Sequence, residues 1–352
     1  MLTAQDPLRD AEAQALLAAL EYRPSPSEAE DPSSVSARRA HRAALLRMAG
    51  KFERVFRLRS PAAPGLICLG AELSPELAGA LHRGAPNVSV SGVGMTLQAG
   101  FQACIGEGIE YLSQLEIEGE AIEIVGAAEI LSKLNERSRA FVTEVMQGAM
   151  RNGARAAWCP ARRLSDRCGV LLPAEICWRR PKARQLLSPP FLLGTGTAAG
   201  ESYEAAALHG LLELIERDAA GLWWRGGRRA RMIALDDEGW QMATTLIADL
   251  RRGPSRRRSW VLDITTDVGV PCAAALSCSP DGFGLAFGLS ARLSMRDAMR
   301  SAILEMCQIE LAYAVVEAKR LERGMGALNE RDLAHLRRAV SIDAEHCALL
   351  HA

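Results

Sequence analysis

The sequence predicts a mixed α/β (α+β) fold, and three observations carry that expectation. Short apolar runs of β type alternate with longer stretches of helical spacing. Glycines followed by a hydroxyl residue punctuate several of the junctions, as helix starts require. Hydrophobic residues make up 49% and charged residues 24% of 352, which supports a large core and shows no sign of global disorder.

Along the chain, residues 1–50 read as an N-terminal helical arm, interrupted at Arg23-Pro24-Ser25-Pro26 and acidic from Glu28 to Asp31. Residues 51–352 read as a single domain. Its β-type runs fall at 88–90, 121–125, 156–158, 259–264 and 270–276, and its helical stretches at 96–114, 134–152, 202–222, 237–251 and 294–324. Residues 225–231 and 251–258 are rich in arginine and broken by glycine or proline, which predicts loops. A solvated surface is the plain reading of these loops; contact with phosphates or an acidic peptide is the sharper one, because arginine presents a planar fork of donors.

Composition removes several function classes. Forty-two basic side chains balance forty-two acidic ones, so no overall field draws the chain to nucleic acid or a membrane surface. The first thirty residues lack the basic start and apolar stretch of a secretory signal, and no later run is long enough to span a bilayer, which predicts a cytoplasmic protein. Nine scattered cysteines without a Cys-x-x-Cys pair predict reduced, core-packed thiols rather than a zinc site. No Gly-Lys-Ser or Gly-Lys-Thr occurs, which argues against a P-loop NTPase.

The informative feature is a weak internal repeat over 91–114, 194–220 and 284–312. In each copy glycines come first (Gly92 and Gly94; Gly194, Gly196 and Gly200; Gly284 and Gly288), followed by a candidate N-cap, Thr96, Ser202 or Ser294. Eleven residues beyond each cap stands a glutamate (Glu107, Glu213, Glu305), and three further on another polar residue (Glu110, Glu216, Gln308). Residues three apart share a helix face, so each helix presents two polar prongs. The same faces carry small or modest residues, Gly100 and Ala103, Ala206 and His209, Ala298 and Ser301, which predicts a surface against which a ligand fits. His209 reads as packed rather than catalytic. Carboxylates gathered from several helices repel one another unless a cation compensates them; Mg²⁺ accepts hard oxygen ligands and usually arrives with nucleotide phosphates.

The second copy, Leu193-Gly-Thr-Gly-Thr-Ala-Ala-Gly-Glu-Ser-Tyr-Glu-Ala-Ala-Ala-Leu-His-Gly-Leu-Leu-Glu-Leu-Ile-Glu-Arg-Asp-Ala219, strongly resembles the central motif of the YcaO family. Ser91-Gly-Val-Gly-Met-Thr with Gly106-Glu-Gly-Ile-Glu110, Asp267-Val-Gly-Val-Pro271 and Ile303-Leu-Glu-Met-Cys-Gln308 resemble its other motifs, so the likeness covers about residues 50–350. It implies the YcaO-type fold, with ATP held among three helices and Mg²⁺ ligated by their acids. It also implies ATP-dependent phosphorylation of backbone amide oxygens in a ribosomally made precursor peptide, giving thiazoline or oxazoline rings by cyclodehydration. Peptide thioamidation with external sulfide is the alternative, and a non-catalytic scaffold binding the precursor or a partner is a further one.

By the same resemblance, Glu107, Glu110, Glu213 and Glu216 hold Mg²⁺ and the triphosphate, Ser91 and Arg217 contact nucleotide, and Glu305 and Gln308 complete the catalytic pocket. A structural ion pair is the plainer role for Arg217. The implied partners are the precursor peptide and a leader-peptide-binding or sulfur-transfer protein, with a homodimer allowed and neither nucleic acid nor membrane involved. Two positions depart from the family pattern: Val93 stands where lysine is common, and Ser301 where an arginine usually precedes the third glutamate by four. Arg300 and Arg83 are the candidate replacements for the missing positive charge. Asp343-Ala-Glu-His346 resembles a segment that family members follow with further chain, so a short or truncated tail is expected here.

Overall fold

The computed structural model describes residues 32–73, 89–116, 123–126, 129–131, 134–145, 155–180, 194–234 and 236–352. The expected arm before residue 32, the end of the 134–152 helix and Arg83 lie outside those residues. The chain divides into two compact units, one of residues 1–72, 89–108 and 198–352, the other of 73–88 and 109–197.

The larger unit holds two sheets. β1 (Phe52–Leu58), β2 (Ile67–Leu73) and β3 (Ser89–Gly94) form a three-stranded sheet in that order, with β2 and β3 antiparallel and Gly70 opposite Ser91. β7 (Arg231–Met232), β8 (Arg258–Asp263), β9 (Cys272–Cys278) and β10 (Ala286–Ala291) form an antiparallel sheet in the order β10-β9-β8-β7.

Strand β9 is buried along its whole length, and its period of two divides its side chains between two cores. Ala273 and Ala275 join Met299, Ala302, Ile303 and Met306 of helix α7 (Met295–Arg323) and Leu246 and Leu250 of helix α6 (Asp237–Arg251). Cys272, Ala274, Leu276 and Cys278 join Leu212, Ala219 and Trp223 of helix α5 (Tyr203–Trp224) on the opposite face. The sheet is therefore covered on both sides by helices, which fixes α5 and α7 against a common rigid layer.

The repeat's helices begin where their caps predict. Thr96 Oγ1 accepts from Ala99 N at 3.1 Å at the start of α2 (Leu97–Ser113), Ser202 Oγ from Ala205 N at 3.2 Å at α5, and Ser294 Oγ from Asp297 N at 3.1 Å at α7. Helix α1 (Pro32–Ala49) precedes β1, and α8 (Glu330–Ser341) follows α7, held to it by Lys319 Nζ on Asp332 at 2.6 Å.

Helix α7 is further locked by a buried charge cluster. Glu310, 1% exposed at its side chain, accepts from Arg251 Nη1 at 2.5 Å and Nη2 at 2.8 Å, from Arg257 Nε at 3.1 Å, and from the Ser277 hydroxyl. Those donors tie α7 to α6, to the loop before β8 and to β9.

The smaller unit contains β4 (Glu123–Gly126), α3 (Glu136–Val145), β5 (Arg155–Arg162), β6 (Gly169–Pro173) and the short α4 (Ala174–Cys177), with sheet order β4-β5-β6 and antiparallel pairings. Its polar anchor is Arg180, which pairs with Glu116 at 3.1 Å and Glu175 at 2.6 Å, all three side chains nearly fully buried. Six of the nine cysteines are buried across the two units, while Cys168 is exposed.

Candidate active site

Two glycines bring the site helices onto their strands. A Cβ on Gly92 of β3 would lie 2.0 Å from Cys104 N and 2.4 Å from Ala103 C of α2; one on Gly288 of β10 would lie 2.1 Å from Ala302 O and 2.3 Å from Met306 N of α7. Backbone meets backbone at both points, which only glycine permits. The neighbouring strand residues then meet the prongs. Leu289 N donates to Glu305 Oε2 at 2.8 Å, and Gln308 Nε2 donates to Ser91 Oγ at 2.9 Å. Three residues expected in one pocket, Ser91, Glu305 and Gln308, are thus joined through β3, β10 and α7.

This packing corrects the expectation at two of the six small-residue positions, Gly100 and Ala298. Ala298 is fully buried in the protein core and Gly100 faces Ile67, so these positions are small because protein covers them, not because a ligand does. His209 is likewise not packed: it is exposed, and its Nδ1 lies 3.0 Å from Ala199 O.

The carboxylates of α2, α5 and α7 are close enough to perturb each other. Glu216 is buried, and its carboxyl is pushed up to about 7, first by lost hydration and then by Glu305, with Glu213 adding to the effect and Arg217 and Arg292 opposing it. Glu305 also shifts upward, through burial first; the Leu289 N–H, Arg217 and Arg292 pull it back while Glu107 adds repulsion. The Glu107 residue retains solvent exposure, yet its carboxyl moves upward too, from desolvation and then from Glu213, against Arg217 and Arg331.

Arg217 stands at the middle of this group. It contacts Glu213 at 3.3 Å and Glu216 at 3.1 Å and lies near Glu305 and Glu107 as well, so the expected arginine pairs within its own helix and also lies near an acid of each of the other two. Glu110, one turn beyond Glu107 on α2, is half-buried and falls in the smaller unit. Arg300 is exposed and not among the cations acting on these carboxylates, whereas Arg292, at the end of β10, and Arg331, on α8, are. Arg331 lies outside the repeat, and Arg292, inside its third copy, stands where the other two copies have Gly94 and Gly200, so no shared spacing pointed to them. Val93 packs against the apolar core.

Among the described residues no three His, Cys, Asp or Glu side chains close into a finished metal cage. The donor set nevertheless suits a hard divalent cation: several carboxylates, of which the buried Glu216 has its carboxyl pushed up to about 7 and Glu305 is shifted upward as well, with arginines opposing both shifts. A family model described as YcaO cyclodehydratase, ATP- and Mg²⁺-binding, matches residues 91–351. The chain belongs to the YcaO family.

Solved structures carry the same fold. A heterocyclase in complex with substrate and cofactor superposes with a TM-score of 0.63 at 22% identity, over 86% of this chain and 42% of that one. YcaO from Methanopyrus kandleri bound with AMPPCP and Mg²⁺ gives 0.56 at 18% identity over 83% and 73%, and a chain of the E. coli microcin synthetase McbBCD complex gives 0.60 at 13% over 85% and 73%. The chain thus spans less than half the length of the heterocyclase it resembles. A comparison with curated proteins finds no match. Among the described residues no helix of this YcaO protein is long and apolar enough to cross a membrane.

Proposed function

We propose that this YcaO protein uses Mg²⁺ and ATP in the cytoplasm to activate backbone amide oxygens of a precursor peptide, so that a neighbouring cysteine, serine or threonine side chain closes an azoline ring. The observation that carries the proposal is the convergence of Glu107, Glu213, Glu216 and Glu305 from three helices around Arg217. The heterocyclase with bound substrate and the microcin synthetase with bound pro-MccB17 support the choice of a peptide as substrate and of partner proteins around it.

In this reading Glu107, Glu213 and Glu216 hold the divalent cation, each as a carboxylate. Bound Mg·ATP supplies the phosphoryl group that turns an amide oxygen into a leaving group. The chain's own residues provide position and charge. Burial drives Glu216 to keep its proton until a cation replaces it, so cation binding and proton release are coupled at this residue. Arg217, with Arg292 and Arg331 beside it, partly balances the acids and offers fixed donors to anionic oxygens. Leu289 N–H orients Glu305, and Ser91 orients Gln308, so both catalytic candidates are held by strand residues rather than by solvent.

The test is a single-turnover reaction of the full chain, partner proteins included, with a peptide rich in cysteine and serine. Loss of one water per modified residue, with ADP and phosphate formed, is the expected outcome. Exchange of oxygen for sulfur on added sulfide would instead assign the thioamide branch. An unchanged peptide with no ATP consumed would leave only a scaffold.

A further inference from the structure

The loop after α5 is not used by the chemistry above, yet it concentrates positive charge. Arg225, Arg228 and Arg229 are exposed, and none of them has an ion-pair or side-chain hydrogen-bond partner among the described residues. Arg231, at the start of β7, is by contrast committed to Asp263 at 2.9 Å. A cavity of about 70 Å³ opens here, lined by Trp223, Arg228, Arg229, Arg231, Asp263 and Thr265. Trp223 is itself fixed by donating to Leu349 O at 2.7 Å, so the cavity has a rigid floor and two uncommitted guanidinium groups at its rim.

Such a site selects an anion of carboxylate size. Planar guanidinium forks bind carboxylates bidentately, and the aromatic floor carries the aliphatic part of a glutamate side chain. Resting on the peptide reading above, we propose that this loop docks an acidic stretch of the peptide substrate, seating a carboxylate between Arg228 and Arg229.

The test uses the full chain and a fluorescein-labelled decapeptide of alternating glutamate and glycine, read by fluorescence anisotropy. The unmodified protein is expected to bind it. Arg228→Gln/Arg229→Gln should weaken binding about tenfold, an otherwise identical glutamine peptide should not bind, and Mg·ATP affinity should stay unchanged in the variant. Inorganic phosphate at equal concentration should not displace the peptide. Equal binding by the variant, equal binding of the glutamine peptide, or displacement by phosphate would overturn the docking surface. Failure of the peptide-modifying activity itself appears separately, as absence of ATP consumption with any peptide in the unmodified protein.

Discussion

Replacing Glu216 with glutamine should make the ligand-free protein more stable, by an amount that grows as pH rises from about 4.5 to about 7 and then levels off. Glu216 has its carboxyl pushed up to about 7 from an ordinary 4.5. The folded chain therefore holds a proton that the unfolded chain releases between those values. The stability this proton contributes is fully present below pH 4.5 and is lost as pH rises through 7. A displacement of that size corresponds to about 3 kcal/mol between the charged and neutral forms. Glutamine keeps the shape of the protonated carboxyl and cannot ionise. At pH 4 parent and Glu216→Gln should melt nearly together; at pH 8 the variant should be more stable by up to about 3 kcal/mol, a rise of roughly 5 °C in Tm. Adding Mg·ATP should reverse the order, since the parent gains binding stabilisation and the variant loses a cation ligand. Thermal or urea unfolding at the two pH values, with and without Mg·ATP, reads all four conditions. Parallel pH profiles for the two ligand-free proteins would refute the assignment of a crowded, proton-holding carboxylate.

Other perturbations separate site from scaffold. Gly92→Ala and Gly288→Ala each force a Cβ within about 2 Å of helix backbone, so each should abolish cooperative folding or lower the urea midpoint sharply. Glu310→Ala leaves Arg251 buried without its carboxylate and should cost about 3–5 kcal/mol in urea unfolding. Gln308→Ala removes one neutral hydrogen bond to Ser91, a loss of about 1 kcal/mol in stability. Single-turnover modification in that variant should fall at least tenfold while Mg·ATP affinity, measured by calorimetry, stays within a few-fold.

Much of this arrangement was legible in the sequence because it rests on local signals. Thr96, Ser202 and Ser294 are strong caps, and the helices they open start within a residue of the expected positions. The carboxylate spacing then placed Glu107, Glu213, Glu216 and Glu305 on faces that do converge. Strand β10 was hidden by Gly288, which looked like helix punctuation; its real role is to let α7 approach, a long-range demand that no local pattern announces. The small residues at Gly100 and Ala298 were assigned to a ligand for the same reason, since a face closed by protein and a face closed by a nucleotide ask for equally small side chains. Arg331 comes from outside the repeat and Arg292 has no arginine counterpart in the other two copies, and the Leu289 N–H that orients Glu305 is a backbone group carried by any residue but proline.

The most direct measurement is the anomalous scattering of Mn²⁺ in crystals grown with a non-hydrolysable ATP analogue. The ion should sit at metal–oxygen distances of about 2.0–2.3 Å from carboxylates of at least two different helices among α2, α5 and α7. An ion bound by one helix alone, or by none of these acids, would contradict the shared site on which the proposed chemistry depends.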